Sequence, residues 1–205
     1  MSTPDHNIDQ RLLESAKRHF LAEGFSGAQL RRICEDAGIT TGALYKRHAG
    51  KEGLFEALVA DTLRDIRAQV ELRRRQDPAS QSDEALTEPW TTPYAGAIEW
   101  FRFCFARYDG FALLTRCAEG TRHANFRHDF CAEMTDVDYL WLVELQRRGL
   151  CRPDVDKREL HVLLTAYWEA YYEPFVHGFT WEEIERHAQI MCRLFDWKSA
   201  LGLGP

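Results

Sequence analysis

The chain has 205 residues, 45% apolar and 28% charged, so it can bury a core of ordinary globular size in one or two compact domains and is no disordered tail. Lys and Arg number 26 against 32 Asp and Glu; at −6 the molecule as a whole is not a basic sheath for nucleic acid or anionic membrane. The first sixty residues balance eight basic against eight acidic side chains, which leaves the acidic surplus entirely in the remainder.

The opening residues, Met1-Ser-Thr-Pro-Asp-His-Asn7, are polar, with no basic stretch followed by an apolar run. No apolar stretch approaches the ~20 residues that span a bilayer, so a cytosolic chain is expected, without membrane contact. In that compartment the six cysteines, with no Cys-x-x-Cys pair among them, are expected to be reduced and buried.

Apolar residues recur at helical spacing nearly everywhere, which predicts an all-α fold of about nine helices. Asn7 and Gln10 signal the first helix as a capping pair; Leu12, Leu13, Ala16 and Phe20 form its stripe and Gly24 its stop. Ser26 and Gln29 suggest a second capping box, opening a helix that buries Leu30, Ile33 and Ala37 and stops at Gly38. Thr40 caps a short third helix, with Ile39 and Leu44 as its hydrophobic staple. A longer helix from Lys51 carries Leu54, Phe55, Leu58, Leu63, Ile66 and Val70 along one side. Gln76 to Pro93 is polar and holds three prolines, so it reads as a linker.

Beyond it come an aromatic helix from Pro93 to about Tyr108, a turn at Asp109-Gly110 and a short helix to Cys117. A long helix from about Thr121 to Arg148 is expected next. Asp156-x-x-Glu159 and Thr180-x-x-Glu183 open the last two, and a polar, Gly-rich tail follows Ala200. The expected division is a helix-turn-helix domain over 1–50, a connecting helix over 51–75, a loop over 76–93 and a ligand-binding and dimerisation domain over 94–205.

Two short helices joined by Ala37-Gly38-Ile39 have the form of a helix-turn-helix. From 37 to 51 there is no acidic side chain, while Lys46, Arg47 and Lys51 bring positive charge and Tyr45, Thr40 and Thr41 bring hydroxyls, the combination a phosphate-lined major groove requires. Thr40, Thr41 and Gly42 are small residues at a helix N-terminus, where backbone can approach DNA closely, and Arg31 and Arg32 can add phosphate contacts.

The stretch Gly38-Ile-Thr-Thr-Gly-Ala-Leu-Tyr45-Lys-Arg-His-Ala-Gly-Lys51-Glu-Gly-Leu54-Phe55 resembles the signature of the TetR family of bacterial regulators, as do Phe20, Gly24, Phe25 and Ile33 before it. The resemblance covers roughly residues 8 to 60. It implies that Tyr45 and Lys51 contact phosphates and that Thr40, Thr41 and Lys46 face the groove. Arg47 stands where the family commonly has His, His48 where it has Phe, and Gln29 where a Thr or Ser often meets phosphate.

The acidic remainder is rich in rings. The helix after Pro93 carries Trp100, Phe101, Phe105 and Tyr108, and the helix from 157 carries Tyr167, Trp168, Tyr171 and Tyr172, more apolar surface than one core stripe needs. The functional reading is a pocket for a small apolar or aromatic effector; plain helix packing is the alternative for any single ring. Seven of the nine residues from Val137 to Leu145 are apolar and cover all sides of the helix, which suggests a second subunit on Tyr139, Trp141, Leu142 and Leu145, and the resemblance implies a homodimer on a palindromic operator in double-stranded DNA.

The reading is therefore a DNA-binding transcriptional regulator, a repressor released by its effector. An all-α enzyme using the aromatic cavity, with Glu169, Glu173, His123 or His177 as acid or base, is a rival that lacks any nucleophile elbow, phosphate loop or paired metal motif. An architectural helix-turn-helix protein with no ligand is another. No metal or cofactor is expected, although His128 and Cys131 share a helix face.

Overall fold

The computed structural model describes residues 6–91 and 93–204, and among these every regular element is helical. The helices are α1 (His6–Gly27), α2 (Leu30–Ala37), α3 (Thr41–Tyr45), α4 (Gly50–Arg74), α5 (Asp83–Thr91), α6 (Pro93–Phe105), α7 (Tyr108–Arg116), α8 (Phe126–Arg147), α9 (Lys157–Val176), α10 (Trp181–Leu194) and α11 (Trp197–Leu201), with a 3-10 turn at Pro78–Ser80.

The chain forms two compact units. The first holds residues up to Ile66 together with Arg107–Phe126; the second holds Arg67–Ala106 and everything from Arg127 on.

In the first unit α1 buries Leu12, Ala16 and Phe20 at four-residue intervals. Gly24, at φ +72°, breaks the helix as expected and folds Phe25 back, so that Phe20, Phe25 and Phe55 meet with ring centroids 5.5–5.6 Å apart. Gly38 caps α2 in the left-handed conformation, with Gly38 N–H on the Glu35 carbonyl and Ile39 N–H on that of Cys34, both at 3.0 Å. Ser15, fully buried on α1, donates to the Ile33 carbonyl on α2 at 3.0 Å. His19 joins the same two helices, with Glu23 at 3.0 Å and Asp36 at 2.8 Å.

Residues 107–126, expected in the ligand domain, belong to this first unit. Lys17 reaches Asp109 at 2.9 Å, Arg107 reaches Asp65 at 2.8 Å, and Phe25 N–H donates to the Cys117 carbonyl at 3.0 Å. Gly110 is not in a turn. It lies inside α7, where a Cβ would stand 2.0 Å from Thr62 Oγ1, so its missing side chain permits a close crossing with α4.

The second unit is built from rings. Phe101 of α6 packs at a tilt on Tyr171 of α9 at 4.6 Å, Phe130 of α8 meets Trp168 at 4.9 Å, and Trp90 of α5 meets Trp197 of α11 at 5.6 Å. The expected linker over 76–93 is therefore corrected: it forms the 3-10 turn and α5, because Leu86 and Trp90 have a core to enter. The tail after Ala200 is likewise anchored, with Leu201 and Leu203 buried. Asp156 and Thr180 cap α9 and α10 as expected, the latter with a complete capping box. The cap expected at Ser26 does not form; its hydroxyl donates to the Glu119 carbonyl at 2.8 Å, and α2 starts after an uncapped Gln29. α1 begins at His6, so Asn7 lies inside the helix, and α8 begins at Phe126 rather than Thr121.

Candidate nucleic-acid interface and ligand cavity

α3 is only five residues long and is placed by its two ends and one anchor. Thr40 Oγ1 accepts the Ala43 N–H at 3.2 Å, Leu44 is fully buried, and Arg47 and His48 N–H groups both return to the Leu44 carbonyl. With Leu44 inward, Thr40, Thr41, Gly42, Tyr45, Lys46 and Arg47 are exposed. Tyr45 is 63% exposed, an unusual position for a ring in a chain that buries most of its aromatics. It lies along Gly50, the left-handed first residue of α4, where a Cβ would stand 3.4 Å from Tyr45 Cε1; its hydroxyl sits beside the first turn of α4. Small groups, hydroxyls and a cation are thus exposed on and beside α3, with Tyr45 next to the N-terminus of α4, a set that can meet base edges and phosphate oxygens.

The second unit holds a cavity of about 510 Å³, the size of a small-molecule site. Six rings line it: Trp90, Trp100, Tyr167, Trp168, Tyr171 and Trp197. The Tyr167 and Tyr171 hydroxyls are 3.0 Å apart, and burial pushes the Tyr167 phenol up to about 12, so it stays protonated. The indole N–H groups of Trp90, Trp100 and Trp168 are shut off from water with no acceptor among the described residues. A buried indole N–H normally has a partner, and leaving one unmade costs about 1–3 kcal/mol.

Two charged groups meet the cavity from α4 and α8. The Arg73 guanidinium lies over the Trp141 ring, 3.4 Å from its centroid, and donates to Gln76 Oε1 at 3.1 Å. The Asp138 carboxylate has no hydrogen bond or ion pair among the described residues; burial pushes it up to about 6 against the opposing pull of Arg73.

Residues 12–58 match the family profile described as bacterial regulatory proteins, tetR family. The repressor AcnR of Corynebacterium diphtheriae is 28% identical over 184 residues, covering 86% of this chain and 85% of its own, and AcnR of Corynebacterium glutamicum is 26% identical over 84% of each. The chain therefore carries a TetR-type N-terminal region over residues 12–58 and is similar to TetR-family repressors over most of its length. Solved TetR-family structures share its fold over nearly the full length. NalD of Pseudomonas aeruginosa, described as the secondary repressor of the MexAB-OprM multidrug efflux pump, superposes with a TM-score of 0.61 at 19% identity over 92% of this chain and 94% of its own. SCO3833 of Streptomyces coelicolor A3 gives 0.58 at 17% identity over 95% and 91%. The chain is a DNA-binding transcriptional regulator.

The residues expected at DNA are placed unevenly in this TetR-like headpiece. Gln29, Arg31 and Arg32 are exposed on or just before α2, Arg31 being paired with Glu35 at 2.7 Å. Arg47 is turned toward α1, 3.5 Å from Asp9. Lys51 departs most from expectation. Its ammonium donates to the carbonyls of Phe25 at 2.7 Å and Ala28 at 3.0 Å and lies 4.5 Å from the centre of the Phe25 ring, because the broken end of α1 leaves carbonyls that need donors.

Of the rings expected at the ligand, Trp100, Tyr167, Trp168 and Tyr171 line the cavity. Phe101 is fully buried against Tyr171, Phe105 packs on Trp181 at 5.4 Å, Tyr108 starts α7 in the first unit, and Tyr172 is buried with the Arg127 guanidinium 5.5 Å from its ring. The dimer surface expected on α8 is corrected as well: Trp141, Leu142 and Leu145 are core, and Tyr139 is half-buried. Sequence reasoning missed Arg73, Trp90, Asp138 and Trp197. The signal available for Asp138 was a charge inside the apolar run 137–145.

Proposed function

We propose that the chain is a homodimeric repressor whose operator affinity falls when a small ring-bearing molecule occupies the cavity of the second unit. The exposed face of α3 carries the DNA half of this reading: Thr40, Thr41, Gly42 and Lys46 toward the groove, and Tyr45 with the first turn of α4 toward phosphate. Gln29, Arg31, Arg32 and Arg47 flank it. Lys51 acts as a positioning residue, holding the end of α1 on α4 so that α3 is presented.

A repressor of this kind needs two copies, because two recognition helices on half-sites ~34–36 Å apart read a palindrome that one cannot. Val162 on α9 and Ile190 and Leu194 on α10 are exposed apolar side chains suited to a second copy, in place of the buried residues of α8. The ligand half rests on the ring-lined cavity. Its linings on α4 and α6 continue along the chain into the headpiece unit, through α4 after Ile66 and from α6 to α7 at Arg107. An effector that lowers operator affinity a hundredfold must favour the non-binding state by about 2.8 kcal/mol.

The test is a screen for compounds that change the calorimetric or fluorescence signal of the purified chain, followed by operator release in an anisotropy assay. A compound that binds with one equivalent per chain and releases DNA supports the reading. Cavity ligands that leave DNA affinity unchanged contradict it.

A further inference from the structure

The cavity is unequal in charge. Among the described residues Arg73 is its single cationic side chain, already laid on Trp141 and bonded to Gln76, whereas Asp138, Glu88 and Glu99 contribute three carboxyl groups. Glu88 and Glu99 are at the exposed rim; Asp138 is set in from α8. A carboxylate in an apolar wall is normally paired or hydrogen-bonded, as Glu144 of the same helix is by Arg147 and Arg148, each at 2.6 Å. Asp138 has no such partner within hydrogen-bond or ion-pair reach. Six aromatic rings, whose faces attract positive charge, line the same cavity.

We infer that the effector is an organic cation, an amine on an aromatic or similarly flat apolar body, and that Asp138 is the residue that selects its charge. The inference rests on the cavity being the effector site. The ammonium supplies the hydrogen-bond donors that Asp138 lacks, and the rings supply both contact area and favourable electrostatics. A bound anion would find in Arg73 of α4 only one pairing group among the described lining residues, with three carboxyls against it.

Calorimetry on the full chain with three probes of one skeleton tests this: 2-naphthylmethylammonium, 2-naphthylmethanol and 2-naphthoate. The cation is expected to bind at least tenfold tighter than the alcohol, and the carboxylate most weakly. In the Asp138→Asn variant the cation and the alcohol should bind within about threefold of each other, the alcohol's own affinity being little changed. The comparison in the unmodified protein carries the result even if that variant folds poorly. If the alcohol binds but the cation is no tighter, if the carboxylate binds best, or if the preference survives Asp138→Asn, the charge assignment is overturned and the cavity reading stands. Binding by none of the three overturns both.

Discussion

Tyr45 and Lys51 occupy matching places in the family pattern but have different physical situations. The Tyr45 hydroxyl is exposed and its ring is already supported by Gly50, so removing the hydroxyl should leave the fold alone. Tyr45→Phe is predicted to weaken operator binding about fivefold, one hydrogen bond at ~1 kcal/mol, with an unchanged melting temperature. Lys46→Ala should lower the slope of log affinity against log salt by about one unit at similar stability. Lys51→Ala should instead show in unfolding, with a loss of about 1.5–3 kcal/mol in a urea titration, since three carbonyls at the end of α1 lose a charged donor. A variant that loses only salt slope would return Lys51 to the phosphate backbone. The sequence showed that both residues matter and not that the kink at Gly24 would claim the lysine, because that depends on where three chain segments meet. Asp138 shows the same limit: it and Glu144 are two carboxylates in one largely apolar run, and only the fold shows that Arg147 and Arg148 serve one and not the other.

Helices announced by local chemistry were legible, and those that depend on a distant partner were not. Thr40, Asp156 and Thr180 cap where their spacing says they should, since a cap is decided within three residues. α5 was hidden by its prolines and polar surface, and its reason for existing, Trp90 against Trp197, spans more than a hundred residues. Gly110 has the look of a turn and serves as a contact point. Gly110→Ala should destabilise the first unit by at least about 1–3 kcal/mol by overpacking against Thr62, and adding Thr62→Ala should restore part of that loss; full tolerance of Gly110→Ala would contradict the close crossing. His19 between α1 and α2 supplies a pH dependence. Glu23 first, then Asp36, raise its pKa above the ordinary 6.5, against burial. Its stabilisation is therefore fully present below about 6.5, the unfolded value, and lost as pH rises through the higher folded value. Denaturation midpoints across that window should fall with rising pH in the native protein and flatten in His19→Gln.

At the scale of the whole molecule the sequence divided the chain where its composition changes, at the proline-rich stretch after Arg75. The compact units divide elsewhere, within α4 after Ile66 and around residues 107–126, because ion pairs and a tight helix crossing bind α7 to the headpiece whatever its composition. The resemblance was legible because a helix-turn-helix fits its turn, cap, anchor and basic face into some twenty consecutive residues. The cavity was half legible: its rings could be named, while Arg73, Asp138 and two tryptophans come from four different helices. The same distribution makes DNA the most direct test. Bound duplexes should be selected from a random pool and the enriched sequence titrated by fluorescence anisotropy at several salt concentrations. The account predicts a palindrome with two half-sites about one helical turn apart, two chains per duplex, and affinity at least about a thousandfold above a scrambled sequence at physiological salt. Binding that is equal on scrambled DNA, with no enriched sequence, would contradict it.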